Sequence, residues 1–319
     1  WGHIYAITGA GARHVCTRGV DVAETFDRIR GEDVSYFCAA PTVLNMLGDH
    51  YAEHGGATTG DNDVRVATAG AAPPEATIRT VEEEFGWELK HVYGATETGP
   101  LITTSDAKRH FDEGADDRFA VKKTQGIGYL GTDVRVVDED GEDVAADGET
   151  IGEIVVRGNQ VMDRYWNKPE ATEEAFSERL EGYYHMGDLA VVDEDGFVSI
   201  QDRKKDIIIS GGENISSIEL EDTLFEHDVV SDVAVIPAPD ERWGETPKAF
   251  VVPEGGDPND AGATPEELKA FVRDRVADYK TPGEVEFVAE LPTTATGKIQ
   301  KYELREREWD EEDRMVGEG

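Results

Sequence analysis

The sequence predicts a two-part protein, an α/β body followed by a compact α+β module. Three observations predict it. Strand-like apolar runs alternate with helical patterns up to about residue 126; short strands separated by Gly and Asp-Gly turns follow; past Arg203 the order becomes strand, helix, strand, strand, helix. A chain of 319 residues can bury a sizeable core in each part.

In the body, Val22 to Ile29 reads as an amphipathic helix and Val34 to Ala39 as a buried strand. Pro41 opens the next helix at an early position, where its missing N–H costs nothing. Val64 to Ala69 reads as another buried strand, ending at Gly70-Ala71-Ala72-Pro73-Pro74. A helix carries Ile78 to Phe85, and the strand Glu88 to Val92 enters the turn Tyr93-Gly94. Strands alternating with helices argue for a mainly parallel sheet with ligands at the strand ends. Val134 to Val137, Gly152 to Arg157, Ala190 to Val192 and Phe197 to Ile200 are then short strands, the last two flanking the hairpin signal Asp195-Gly196. They predict an antiparallel, barrel-like subdomain. The module comprises Ile207 to Ile209, a helix over Ser217 to Phe225, strands at Val229 to Pro237 and Lys248 to Val252, and a helix from Pro265 to Tyr279. The expected domains are 1–203 and 204–319.

Charge excludes several function classes. The chain carries 69 acidic against 31 basic residues, a net charge of -38, which repels phosphate backbones and anionic lipid. Neither a nucleic-acid partner nor a membrane span is expected, since no apolar run approaches the ~18 residues a span needs. The two cysteines, Cys16 and Cys38, sit in apolar stretches and read as buried, reduced thiols of a cytoplasmic protein. The start at Trp1, without a Met or a signal-peptide pattern, reads as a beginning inside a domain.

The first motif that carries chemistry is Tyr93-Gly94-Ala95-Thr96-Glu97-Thr98-Gly99 at the end of a buried strand. Tyr93 offers a flat face, Thr96 a hydroxyl for phosphate, and Glu97 a hard oxygen ligand for Mg²⁺. On its own such a turn is more often a plain polar loop. Three further motifs follow: Gly187-Asp188-Leu189; Asp202-Arg203-Lys204-Lys205-Asp206 running into Ile207 to Ile215; and Leu291-Pro292-Thr293-Thr294-Ala295-Thr296-Gly297-Lys298-Ile299.

With these in family order and spacing, the chain resembles the adenylate-forming superfamily, which includes acyl-CoA synthetases, firefly luciferase and peptide-synthetase adenylation domains. The resemblance implies the C-terminal part of a large domain followed by a small mobile domain, with ATP, Mg²⁺ and coenzyme A as cofactors. It implies an AMP-forming ligase that joins a carboxylic acid, of medium or long fatty-acyl type, to coenzyme A through an acyl-adenylate. It places Gly70, Ala71, Ala72 and Pro73 against adenine with Tyr93 opposite, Asp188 and Arg203 at the ribose, and Thr96 and Glu97 at phosphate and metal. Lys298 is implied as the catalytic cation, Lys205 as the hinge, and Gly211 and Gly212 as the coenzyme A passage. The family's phosphate-cradling run ending in Pro-Lys-Gly is missing; Ala57-Thr58-Thr59-Gly60 comes nearest but is followed by Asp61-Asn62-Asp63, which repels phosphate. The chain without that loop is therefore expected to be impaired. Two alternatives stay open: a non-catalytic nucleotide-binding remnant, and a ligase for a short or sulfur-containing propionate. A homodimer is compatible with the family, and no residue decides it.

The acidic residues recur along the whole chain, for example at Asp138-Glu139-Asp140, Asp193-Glu194-Asp195 and Asp310 to Asp313. This spread predicts a surface adapted to high salt, where counter-ions screen self-repulsion. Dialysis into low salt is expected to abolish the far-ultraviolet circular dichroism signal; an unchanged spectrum contradicts the expectation.

Overall fold

The computed structural model describes residues 2–54, 63–106, 115–176, 180–240, 242–294 and 299–309. Ala57 to Asn62, Lys298 and Asp310 to Asp313 lie outside the described residues. By compactness the chain divides into one unit of residues 1–186 with 190–200, and a second of 187–189 with 201–319.

The first unit contains α1 (Gly2–Gly9), α2 (Val22–Gly31), β1 (Tyr36–Cys38), α3 (Pro41–His54), β2 (Arg65–Thr68), α4 (Glu75–Arg79), β3 (Glu88–Tyr93), β4 (Thr103–Ser105), α5 (Ala115–Lys123) and β5 (Ile127–Gly128). Asp21 caps α2, accepting the Glu24 N–H at 2.8 Å. The strands form one sheet in the order β1-β2-β3-β4-β5. The pairs β1–β2 and β2–β3 are parallel, as expected from the strand–helix alternation, whereas β4 turns back antiparallel on β3 and β5 on β4. The helical pattern ending at Phe85 is split: α4 gives way to a π-helical turn over Thr80–Glu84, closed by the Phe85 N–H on the Thr80 carbonyl.

The core of this unit is aromatic. Phe26 stacks on His50 at 5.7 Å between centroids and meets Phe85 edge-on at 5.8 Å; Trp87 packs against both phenylalanines and against Phe37. Leu44, Leu47, Val64, Val66, Ile78 and Leu89 close it.

Two cysteine expectations fail. Both thiols are exposed. The run Val34 to Ala39 forms only a three-residue edge strand, exposed at Tyr36 and Cys38 and half-buried at Phe37. Strand periodicity turns Phe37 into the core and its neighbours to the other face, where Cys38 meets the His3 ring at 3.1 Å and the Tyr36 hydroxyl. Cys16 lies in the irregular segment before α2.

Four strands follow, β6 (Thr132–Val137), β7 (Gly152–Gly158), β8 (Tyr184–Val192) and β9 (Val198–Arg203), with α6 (Pro169–Ala175) between β7 and β8. They form an open sheet in the order β6-β7-β8-β9, without closure into a barrel. The outer edge of β9 is satisfied instead by the segment before β5. Gln125 and Gly126 exchange main-chain hydrogen bonds with Val198, and the Gln125 side chain accepts the Ile200 N–H at 2.6 Å.

The second unit adds β10 (Ile208–Ser210), β11 (Glu213–Ile215), α7 (Ser217–Phe225), β12 (Val230–Asp240), β13 (Gly244–Pro253), α8 (Pro265–Arg273), β14 (Glu284–Phe287) and α9 (Lys301–Glu308). β12 and β13 form a long antiparallel hairpin, β14 adds to β13 in parallel, and β10 joins its other end. Helix α8 starts with a reciprocal Thr264–Glu267 capping box, and α7 with Ser216 accepting the Glu219 N–H. Both helices bury one apolar stripe, Leu220 and Leu224 from α7 and Leu268 and Val272 from α8, on the sheet. No helix among the described residues is long and apolar enough to cross a membrane.

Phe26 is 1% exposed at the centre of the aromatic cluster. Phe26→Ala is expected to cost about 3–5 kcal/mol, read from urea unfolding at fixed salt.

Candidate functional site

Parallel strands bring their C-terminal ends to one edge, so the loops that leave them share a neighbourhood. Thr68 of β2 pairs with His91 of β3. Two residues further, Gly70 leaves one strand and Tyr93 ends the other. Gly70, Ala71 and Ala72 are exposed and Pro73 is buried, so small side chains line this edge. Tyr93 is half-buried, packed on Ile102, Val156 and Tyr184 and on the cluster of Val136, Ile154, Ala190 and Val198. That anchorage fixes the ring.

After Tyr93 the chain folds back tightly. A Cβ on Gly94 would lie 2.0 Å from the Pro100 carbonyl oxygen, so only glycine fits. Thr96–Thr98 make one 3₁₀ turn, pinned by the fully buried Thr98, whose hydroxyl accepts the Ala95 N–H at 2.9 Å. Thr96 is exposed and Glu97 half-buried. The Glu97 carbonyl accepts the Met162 N–H at 2.7 Å, and its carboxylate accepts the Tyr165 hydroxyl at 2.9 Å. Burial first, then the bonds to Tyr184 and Glu97, push the Tyr165 hydroxyl well above the usual tyrosine range, so it stays a donor.

Glu97 fits a Mg²⁺ ligand. The described residues contain no cluster of three or more His, Cys, Asp or Glu. A single carboxylate suits Mg²⁺, which keeps most of its waters and takes the rest of its shell from phosphates.

In the second unit, Asp188 is buried, and its Oδ1 stands 3.4 Å from Nε of the half-exposed Arg203. The Lys204 N–H bonds the Gly187 carbonyl at 2.9 Å, which holds the two segments together. A carboxylate that accepts and a guanidinium that donates complement a vicinal diol. Lys205 is exposed in the turn joining β9 to β10. Gly211 and Gly212, at φ 61° and 91°, form the β10–β11 turn. A Cβ at Gly211 would come 2.8 Å from the Trp243 ring, whereas Gly212 has open space around it.

Lys298 lies outside the described residues, but the segments on either side of it are described. Thr293 bridges Ile299, and the Gln300 N–H bonds the Pro292 carbonyl at 2.8 Å. Just after Ile299, α9 is tied to the turn at Asp202 to Asp206 by buried and partly buried charges. Lys301 donates to Ser217 Oγ at 2.6 Å and pairs with Glu221 at 2.7 Å. Ser217 in turn donates from its N–H and hydroxyl to Asp202, and Arg305 pairs with Asp206. Two cations thus face three carboxylates. Burial pushes Asp202 up and Glu221 up to about 7, with Lys301 offsetting only part. Burial by itself would lower Lys301, but Glu221, Asp202 and Asp206 outweigh it and raise it.

Comparison with known proteins settles the family. The profile described as AMP-binding enzyme matches residues 1–166, and that described as AMP-binding enzyme C-terminal domain matches residues 219–298. The chain belongs to the AMP-binding enzyme family. It is 41% identical over 310 residues to probable acyl-activating enzyme 4 of Arabidopsis thaliana, covering 96% of this chain and 55% of that protein. It is 39% identical over 310 residues to 2-methylpropanoate–CoA ligase CCL4 of Humulus lupulus, covering 96% and 54%. In fold it is similar to o-succinylbenzoate CoA synthetase (MenE) from Bacillus subtilis, solved with the acyl-adenylate intermediate OSB-AMP. There the TM-score is 0.79 at 27% identity, over 98% of this chain and 58% of that one. The chain spans about half the length of the curated relatives it matches.

Of the residues singled out in this AMP-binding enzyme, the structure has Gly70 and Tyr93 leave neighbouring parallel strands at the same end and sets Asp188 beside Arg203. Sequence reasoning missed Tyr165, 68 residues from Glu97, and Lys301 with its carboxylates. The only signal for Tyr165 is an aromatic residue shortly before a Pro-started helix. Lys301 reads in the sequence as a solvated lysine.

Lys301→Met strands buried carboxylates and is expected to cost about 3–5 kcal/mol in urea unfolding. The Glu221 carboxyl sits higher in the folded than in the unfolded protein, so its contribution is full below about 4.5 and is lost as pH rises through about 7. The stability of the parent relative to Glu221→Gln is therefore expected to fall between pH 4.5 and 7.

Proposed function

We propose that this chain carries the nucleotide-binding and hinge elements of an AMP-forming acyl-CoA ligase. The observation that carries the reading is the shared strand-end edge, where Gly70 to Pro73 and Tyr93 to Glu97 leave neighbouring parallel strands. In the first step a carboxylate oxygen attacks the α-phosphorus of ATP and pyrophosphate departs, forming an acyl-adenylate. In the second the coenzyme A thiol, losing its proton to solvent, attacks the acyl carbon and AMP departs.

Adenine lies between Gly70–Pro73 and Tyr93; Asp188 accepts the ribose hydroxyls and Arg203 donates. Thr96 faces phosphate, and Glu97 would hold a Mg²⁺, which would supply charge neutralisation at the phosphates. Lys298 stabilises the negative charge that builds on the phosphoryl oxygens and carboxylate. The large domain ends at residue 203 and the small one starts at 204, with Lys205 as the hinge and Gly211 and Gly212 flanking the coenzyme A passage. The relatives' names support the reading, since one is a CoA ligase and another was solved with an acyl-adenylate.

The acid is a finer step. The fatty-acyl reading rests on the resemblance of Phe37 to Leu47 and Ile207 to Ile215. A short acid is favoured by the relative named for 2-methylpropanoate.

The test has two levels. In the 319-residue chain, calorimetry is expected to show AMP binding that Asp188→Ala weakens by about 1.5–3 kcal/mol, the worth of hydrogen bonds to a charged group. Acid-dependent pyrophosphate exchange is expected to be slow in the chain, because its sequence has no phosphate-cradling run, and Lys298→Ala lowers it by about 10²–10³. Coenzyme A-dependent AMP release across acids of about two to eighteen carbons then identifies the substrate. AMP binding without exchange for any acid, even in the longest natural form of the protein, favours the non-catalytic remnant instead.

A further inference from the structure

The Glu97 carboxylate sits on a one-turn 3₁₀ segment whose neighbour Thr96 is exposed. A glutamate held only by its own backbone keeps most of its rotamer freedom, and ordering it costs roughly 1.5–2 kcal/mol. Here the ordering comes from a distant segment. Residues 162–165 grip Glu97 twice, through the Met162 N–H on its carbonyl at 2.7 Å and the Tyr165 hydroxyl on Oε1 at 2.9 Å. That segment is itself anchored, since the Tyr165 N–H bonds the Thr172 hydroxyl of α6 at 3.0 Å.

The hydroxyl has one proton to give and two lone pairs to receive with. Its other neighbour is the hydroxyl of Tyr184, a residue 7% exposed, at 3.4 Å. With Tyr184 donating to Tyr165, the single Tyr165 proton is committed to Glu97 Oε1. The second carboxylate oxygen has no partner among the described residues, and none of the described residues adds a carboxylate cluster around it.

We propose that Tyr165 is the positioning residue for Glu97: it fixes one carboxylate oxygen so that the other is presented to the divalent cation of a bound nucleotide. The inference rests on the ligase reading above. It adds a residue outside the strand-end loops and accounts for why a metal site of one carboxylate can be ordered. Partners that orient a metal ligand in this way typically change metal affinity 10–100-fold when removed.

The test uses Tyr165→Phe in the full chain, which keeps the ring and removes only the hydroxyl. The probe is Mn²⁺ with ATP, followed by electron paramagnetic resonance, beside calorimetry of AMP without metal. Mn²⁺ is expected to bind the ATP complex of Tyr165→Phe 10–100-fold more weakly than that of the parent. Metal-free AMP affinity and cooperative unfolding are expected to stay as in the parent. Tyr184→Phe keeps the Tyr165–Glu97 bond and is expected to change Mn²⁺ affinity by less than about threefold, well below the loss expected from removing the orienting group. Parental Mn²⁺ affinity in Tyr165→Phe, or equal loss of Mn²⁺ and metal-free AMP binding, overturns the positioning role while leaving the ligase reading intact. A parent chain that adds nothing to the affinity of ATP itself for Mn²⁺ overturns both.

Discussion

The first unit's site depends on the parallel pairing of β2 with β3. The register is held by the core: Val66 lies opposite Leu89, and both are fully buried. A slip of one residue turns each strand's apolar set to the wrong face, which at this position exposes two core side chains. The hydrophobic core therefore sets the register, and the register sets where Gly70 and Tyr93 emerge. Gly94 supplies the next constraint. Without room for a Cβ against Pro100, the chain must return at once, and this return lays the Glu97 turn where residues 162–165 can reach it.

The second unit solves a different problem, how to hold the flanks of a turn and of a loop with one helix. Leu304 of α9 is buried, Lys301 reaches Glu221 and, through Ser217, Asp202, Arg305 pairs with Asp206, and Glu308 meets Lys248 at 2.9 Å. Desolvating such charges costs several kcal/mol per ion, so a buried pair gains little net stability over apolar side chains of similar volume. Burial, which Lys301 offsets only in part and to which the neighbouring Asp202 adds a little, is why the Glu221 carboxyl there retains a proton towards neutral pH. What the charges add is direction. The Lys301 ammonium is satisfied only where Ser217 and Glu221 converge, and this fixes the start of α9 just after Ile299.

Much of this was legible in the sequence because it is local. A strand, a glycine and a Thr-Glu pair are written consecutively, so the Tyr93–Glu97 turn, the Gly211-Gly212 turn and the parallel β1–β3 order could be read from pattern alone. The antiparallel return of β4 and β5 could not, since short polar strands such as Thr103–Ser105 carry no apolar period. Cys38 misled for a related reason. An apolar run reports that a strand is half-buried, not which residue faces in, and on an edge strand the alternate residues face out. Tyr165 and Lys301 were illegible because their partners are distant in sequence. No periodicity connects Tyr165 with Glu97, and a lysine in a strongly charged helix looks the same whether solvated or buried.

The Asp188–Arg203 pair shows how magnitude separates a lock from a placeholder. Each group is proposed for the ribose, yet in the structure they face each other at 3.4 Å. If the pair were strong, a nucleotide would have to break it and binding would suffer. Arg203 is more than half exposed, however, so the pair belongs to the solvent-screened kind worth about 0–1 kcal/mol, and less in high salt. Hydrogen bonds to the Asp188 carboxylate are worth about 1.5–3 kcal/mol each. The exchange therefore favours the diol. Before it arrives, the arginine faces the buried carboxylate at a cost too small to hold the nucleotide out.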